Sequence, residues 1–548
     1  MLLIPSGCDF SPVPILPQPT PPPKPPPTPS QSARPRGGTL TVRLSGDVPQ
    51  LNPWLSAGSR DADNISGLLF GGLTRLDNHL QPQPDLAERW DVSEDGTTLT
   101  FHLREDVAWH DGKPFTAEDV VWSYRTMLGL RSSYHSFLRI QETIQSIEAV
   151  EPITWTVRFK LKTRNSPLLS DLSLPVLPSH ILSGTTPDKL AQSQFNQAPV
   201  GTGAFSFEGR TPGQSVTLKA NSRYYGGRPA IDRVALLVAP VEEVAVNALR
   251  EGDLMLSQLS PSAAEQLVTA GPGIRGGAYD ELGYDFVAFN LRAPRPFSDT
   301  RLRRAWALAL DKPGLAFTAT GSGGNPVWND VNRVSWSYNP DVPKPGGNPG
   351  EARKLLAEAG WADTNGDGIV EKDGKPLEVS LFVRPDNAVR RKAAEAMVAP
   401  LKSVGIRVMV DLADFNTALL ARISPLSRPP FDFDVVILGW TRSGLDPDPY
   451  ALFHSSQIPT AAAPQLLNFT GFAAPEYDAL TIEARSTYDF TRRKEIYTRM
   501  QSIIASDLPY YFLWAEKFGV VAGPKLNGDI DFTSPRYMWN AAQWYIEP

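Results

Sequence analysis

The chain predicts an α/β fold. Apolar–polar alternation of period two recurs along its 548 residues, as half-buried strands require, and capped segments of helical length lie between these runs. The run FDVVIL at 433–438 is almost wholly apolar, as a central strand covered on both faces would be. Strands alternating with helices argue for parallel crossovers.

The elements follow in order. Residues 37–44 (GGTLTVRL) and 97–104 (TTLTFHLR) alternate as strands, and His110-Asp111-Gly112-Lys113 is a turn. Thr116 with Asp119 three residues on is a capping box opening the helix DVVWSYRTML. Residues 153–161 form another alternating strand, and 241–250 a helix that Gly252 stops. A strand at 284–291 precedes a helix capped by Ser298 or Asp299. The helix at 349–359 ends at Gly360. The strand at 377–384 leads to the helix RRKAAEAMVAPLKSVG, where Pro400 predicts a kink. Strands at 406–412 and 433–438, a helix at 491–506 and a strand at 510–514 complete the pattern.

Charged residues make up 20% and apolar ones 41%, as in water-soluble globular domains, and the net charge of −6 gives no electrostatic reason to bind nucleic acid or anionic lipid. No run approaches the about 20 apolar residues of a membrane span. The single cysteine, Cys8, excludes an intrachain disulfide and a cysteine-cluster zinc site. The histidines His79, His102, His110, His135, His180 and His454 offer no helical metal pair. Serine-nucleophile, zinc-protease, phosphate-loop and dinucleotide motifs are missing from the sequence.

Leu2-Leu3-Ile4 followed by Ser6-Gly7-Cys8 resembles the end of a bacterial lipoprotein signal, with Pro5 departing from the pattern. Residues 1–8 are read as a truncated remnant of that signal, with Cys8 the lipidation site. Residues 9–36 are proline-rich with few packing residues, the composition of a disordered tether holding a domain off a membrane.

Several stretches together resemble the solute-binding proteins of ABC importers, family 5, the dipeptide-, oligopeptide- and nickel-binding group. The fullest is 86–124, LAERWDVSEDGTTLTFHLREDVAWHDGKPFTAEDVVWSY. Pro199-Val200-Gly201-Thr202-Gly203 matches a family turn, with Ala204 where the family has Pro. Tyr224-Tyr225-Gly226-Gly227-Arg228-Pro229, residues 286–290, 301–311 and 432–440 also fit. The resemblance covers 37–548. It implies a two-lobed periplasmic-binding-protein-like fold, type II, of the large peptide-binding cluster. Lobe I would span 37–283 with an inserted subdomain at about 78–198, and 513–548 would return to it. Lobe II would span 284–512. Hinge strands are expected near 286–290 and 511–518, with ligand between the lobes.

The resemblance also implies site residues. Trp440 ends the apolar strand at its carboxyl end, where open α/β sheets bind ligands. In peptide-binding relatives the Asp three residues after this Trp holds the ligand α-amino group. Here Ser443 stands there, which offers a neutral hydrogen bond and leaves an ammonium uncompensated. Asp446 or Asp448 are expected substitutes. Arg384 matches the Arg that grips a ligand carboxylate, with Arg442 a second cation and Asn290 a further cleft residue. As an acid pair for glycoside hydrolysis, Asp446 and Asp448 are poorly placed, because each precedes a proline.

Asp363, Asn365, Asp367 and Glu371 occupy positions 1, 3, 5 and 9 of a calcium-type loop, with Gly368 at 6 and Gly374 where a closing Glu would stand. Asp373 is the substitute for that Glu, and the ion would be structural.

The expectation is a monomeric, non-catalytic binding protein, periplasmic or on the cell surface and held to the membrane by an N-terminal lipid. It would capture a peptide or similar solute and deliver it to permease subunits. A non-peptide solute (an oligosaccharide, an opine-like acid or a metal chelate) is the alternative within the class. A hydrolase acting through Asp446 and Asp448 is the alternative outside it.

Overall fold

The computed structural model describes residues 35–56, 59–130, 135–150, 155–440 and 445–548. Among them no helix is long and apolar enough to cross a membrane.

Two mixed sheets organise the chain. The first starts from Thr39–Leu44, whose Leu40, Val42 and Leu44 are buried on one face. This strand pairs in parallel with Arg233–Val238 on one side and Leu256–Leu259 on the other. The helix Glu242–Glu251 makes the crossover between those neighbours and ends on Gly252, whose φ of 85° is left-handed. Beyond this parallel centre the pairing is antiparallel. Ser215–Ala220 and Phe205–Thr211 add to one side, and Trp514–Ala522 and Arg275–Asp280 to the other.

The second sheet runs Arg407–Leu412, Glu378–Val383, Val435–Trp440, Tyr284–Phe289, Tyr510–Phe512, with the first three parallel. Its central strand explains the apolar run. Val435 and Ile437 enter the core on one face of the sheet, and Val436 and Leu438 the core on the other. Burial on both faces leaves no position for a polar residue. The expected parallel crossovers hold at the centre of the first sheet and for three adjacent strands of the second, and the remaining pairings are antiparallel. Periodicity reports burial, and says nothing of strand direction.

The helix ends follow their caps. The Thr116 amide donates to Asp119 Oδ2 at 3.0 Å at the start of Ala117–Gly129, and Asp299 Oδ1 accepts from the Arg301 amide at 2.9 Å at the start of Thr300–Ala309. Ala388–Ser403 runs through Pro400 as one helix.

A third, four-stranded antiparallel sheet joins Ala87–Val92, Thr98–Leu103, Thr156–Leu161 and Ile144–Ala149. Its Leu99, Phe101, Val157 and Phe159 belong to the same continuous core as Leu40, Val42 and Val234 of the first sheet. The inserted segment is therefore built into the first lobe.

The chain crosses between the lobes twice, through residues 281–283 and at Leu513. The second crossing falls inside the expected 511–518, while the first comes just before the expected 286–290, because Tyr284–Phe289 already lies wholly in the second sheet. The crossings run side by side, with the Glu281 amide on the Glu516 carbonyl at 2.8 Å and the Leu513 amide on the Asp285 carbonyl at 2.8 Å. Asp280 faces Lys517 but Phe286 faces Phe512, so the register changes by one residue there. A one-residue irregularity in paired strands adds local twist and bend, which lets two consecutive segments enter different sheets.

Candidate functional site: the interlobe cleft

Between the lobes lies a cavity of about 670 Å³, lined by residues of both lobes and by 535–539 of the C-terminal return. That volume is in the range of small-molecule and peptide sites. Tyr224, Tyr225, Tyr284, Trp440 and Trp539 supply aromatic wall. Trp440 sits at the end of the central strand of the second sheet, opposite Tyr284, with its ring stacked on Phe286 at 6.0 Å and 23°.

The first lobe contributes Arg75 and Arg536. Arg75 is exposed to the cleft, with its guanidinium 5.8 Å from the Trp539 ring centre. Arg536 is only partly exposed, its Nε has no hydrogen-bond partner, and burial lowers its pKa against the opposing pull of Asp63, Asp77 and Asp85.

Asp446 and Asp448 line the cavity but are bound into the protein. Asp446 accepts from Arg493 Nη2 at 2.8 Å, from Tyr497 Oη at 3.2 Å and from Ser170 Oγ at 3.2 Å. Asp448 accepts from Arg485 Nη2 at 2.7 Å and Arg139 Nη1 at 2.9 Å, and Arg139 Nε also donates to Asp171 at 2.5 Å. Arg139, Ser170 and Asp171 come from the inserted segment, and the rest from the second lobe. The network therefore spans the interface with three arginines against three aspartates. Burial pushes Asp171 up to about 6 despite the opposing Arg139, and the aspartates hold Arg139 and Arg493 above the usual arginine range against the same burial. A carboxylate already saturated by guanidinium and hydroxyl donors is not poised as a ligand anchor or as an acid–base pair.

Two other expected ligand residues lie elsewhere. Arg384 is exposed, chelates Asp386 through Nε at 2.9 Å and Nη2 at 2.5 Å, and is absent from the cavity wall. Asn290 is buried, and its Nδ2 donates to the carbonyls of Phe431 and Phe433, each at 2.9 Å. The reason is strand direction. Tyr284–Phe289 runs antiparallel to Val435–Trp440, so Tyr284 meets Trp440 and Asn290 falls at the opposite end of the sheet, about 20 Å away at 3.4 Å per residue. Cys8, Arg442 and Ser443 lie outside the described residues.

Asp330 belongs to no motif in the sequence. It lines the cavity beside Tyr284 and Trp440, on a loop held by asparagines at either side. Asn329 Nδ2 donates to the Asn339 carbonyl at 3.2 Å, and Asn332 Nδ2 to the Glu281 carbonyl at 2.8 Å. Burial pushes the Asp330 carboxyl up to about 7. No spacing rule could have marked it, because its neighbours come from four separate stretches of chain.

The calcium-type loop lies away from the cleft. The carboxylates of Asp363, Asp367 and Glu371 have oxygens within 4.8 Å of one another. Asp363 accepts the amides of Gly366 and Gly368, Asn365 Oδ1 that of Asp367, and Asp367 Oδ1 that of Ile369. Glu371 is buried; Oε2 accepts from Thr364, and Oε1 has no partner. Asp373 instead occupies a hairpin turn with Gly374, both at positive φ, between Lys372 and Lys375.

Comparison with known proteins agrees with this architecture. Residues 81–460 match the model of bacterial extracellular solute-binding proteins, family 5. The chain is 31% identical over 521 residues to the oligopeptide-binding protein AppA of Bacillus subtilis, covering 93% of this chain and 92% of that protein. It is 26% identical to the dipeptide-binding protein of Escherichia coli over 86% of this chain and 88% of that one. The structure of B. subtilis AppA with a nonapeptide superposes with a TM-score of 0.67 at 29% identity, over 94% of this chain and all of that one. NikZ of Campylobacter jejuni with Ni(L-His) gives 0.68 at 26%, over 92% and 99%. With two lobes, a cavity between them and a family match over most of its length, the chain belongs to family 5 of the bacterial extracellular solute-binding proteins.

Proposed function

We propose that this protein captures a peptide in the interlobe cleft and delivers it to the membrane permease of an ABC importer. The observation that carries the reading is the cavity of about 670 Å³, aromatic on its walls and reached by the side chains of Arg75 and Arg536 from the first lobe. A guanidinium pair suits a peptide carboxylate, and aromatic walls accept varied side chains. Relatives named for oligopeptide and dipeptide binding support it. No histidine lines the cavity among the described residues, which offers little to a bare nickel ion. The protein does no covalent chemistry in this reading, since the lining pair Asp446 and Asp448 is held by arginines.

A thermal-shift screen with di- to nonapeptides tests this. A ligand that binds only the folded state raises the melting temperature, and absence of any shift across the peptide set at millimolar concentration would refute peptide capture.

The reading also takes Cys8 as the lipid anchor, 9–36 as the tether and the protein as a monomer, on sequence grounds. It takes the loop of Asp363, Asn365, Asp367 and Glu371 as a structural calcium site. Buried Glu371, whose Oε1 is unpartnered and which has a carboxylate oxygen within 4.8 Å of those of Asp363 and Asp367, supports that ion.

A further inference from the structure

Among the described residues six acids line the cleft, and five are already engaged. Asp85 accepts from Tyr225 Oη at 2.5 Å, Glu281 pairs with Arg60, Asp63 has partners of its own, and Asp446 and Asp448 belong to the buried network. Asp330 has no ion pair and no side-chain hydrogen bond with any described residue. Neither Arg75 nor Arg536 reaches it.

Its surroundings are equally unsatisfied. Tyr284, Tyr477 and Tyr510 lie within electrostatic reach of Asp330, and all three phenol groups are pushed up by burial first and by Asp330 as well. The hydroxyl oxygens of Tyr284 and Tyr477 are buried without a hydrogen-bond partner, while that of Tyr510 lies within reach of the Trp440 indole N–H. Tyr284 lines the cavity with Trp440. Buried polar groups are almost always paired, so the Asp330 carboxylate and the Tyr284 phenol, both on the cavity wall and both unpaired, mark a place where something else belongs.

The arrangement selects a cation with several donors. An ammonium has three N–H donors and no acceptor, matching a carboxylate plus the Tyr284 phenol oxygen, while the indole of Trp440 on the same wall offers cation–π attraction. An anion or an apolar group would leave Asp330 uncompensated. The loop carrying Asp330 is pinned by Asn329 and Asn332, so the carboxylate is positioned before ligand arrives.

We propose that Asp330, framed by Tyr284 and Trp440, is the subsite that receives a primary ammonium group of the ligand. This rests on the cleft being the capture site. Burial disfavours the ionised carboxyl when the cleft is empty, and an arriving ammonium offsets that cost by favouring the carboxylate it pairs with.

The test is isothermal titration at pH 8 with three probes: tetra-alanine, N-acetyl-tetra-alanine and spermidine. Variants are Asp330→Asn and Tyr284→Phe. Tetra-alanine should bind the unaltered protein about ten-fold or more tightly than its acetylated form, and Asp330→Asn should erase that preference. Tyr284→Phe should weaken tetra-alanine binding in the same sense. If Asp330→Asn binds tetra-alanine as tightly as the unaltered protein, the subsite is overturned and peptide capture stands. If only spermidine binds and Asp330→Asn loses it, the subsite stands and peptide capture falls. Failure of both ammonium probes to bind the unaltered protein overturns the subsite. Should Asp330→Asn lose its cooperative melt, Tyr284→Phe decides, and unchanged tetra-alanine affinity in that variant overturns the proposal.

Discussion

Arg139 of the inserted segment and Asp448 of the second lobe meet at 2.9 Å, with 2% and 1% of their side chains exposed. Removing either partner leaves a buried charge uncompensated, which typically costs about 3–5 kcal/mol. Asp448→Asn should therefore lower stability by about that amount in urea unfolding, since Arg139 and Arg485 both lose the negative charge they share. The exposed pair Arg158–Glu148, also at 2.9 Å, is the control, and Glu148→Gln should cost under about 1 kcal/mol. Equal effects would mean that the buried network contributes nothing across the interface.

Asp330 should make the protein less stable as pH rises. Burial moves its carboxyl from 3.8 up to about 7 in the folded state. Between those values the folded protein holds a proton that the unfolded chain has lost. The stabilisation is full below the unfolded value and is lost as pH rises through the folded one. Asp330→Asn has no such proton, so its stability relative to the unaltered protein should improve between pH 4 and pH 7 and then level off. Urea midpoints for both proteins across that range measure it, and a flat difference would show that Asp330 ionises normally. A stabilising substitution at a cleft residue is what a binding group held at the expense of stability produces.

Much of this was legible in the sequence, for identifiable reasons. Alternation in 39–44 and the apolar run ending at Leu438 report burial directly, and Gly252, Asp299 and Thr116 mark helix ends through local geometry. Trp440 could be placed because it ends a central strand. Asn290 was misplaced because strand direction is not written in periodicity, and one antiparallel pairing sends it to the far end of the sheet. Arg384 matched a motif, yet Asp386 two residues on captures it. Arg139, Asp330 and Arg536 become meaningful only when distant segments meet, and no spacing rule reaches that far.

Arg384 and Arg75 should behave oppositely. Arg384→Ala removes an exposed ion pair outside the cavity, so tetra-alanine affinity should stay the same and stability should change by less than about 1 kcal/mol. Arg75→Ala removes a cation from the cavity wall, and peptide affinity should fall by about ten-fold or more if it meets the carboxylate. Titration calorimetry on the two variants decides between them. Loss of affinity in Arg384→Ala alone would restore the motif-based assignment and require a different arrangement of the lobes around ligand.

The loop at 363–371 should respond to calcium independently of any cleft ligand. An ion that binds the folded state at a hundred times its Kd adds about 2.7 kcal/mol, so the melting temperature should rise on adding calcium chloride and fall with a chelator. Asp363→Asn is the less informative variant, because its oxygens also accept the amides of Gly366 and Gly368, and their loss would destabilise the turn without any ion. Glu371→Gln keeps the side chain's length and an acceptor for Thr364 while removing charge beside the unpartnered Oε1. It should abolish the calcium-dependent shift and leave the melting temperature in chelator nearly unchanged. Arg407, 3.3 Å from Asp367, already supplies positive charge on one side of the cluster. If calcium moves neither protein's melting temperature, that guanidinium and the loop's own amides are sufficient and the site takes no ion.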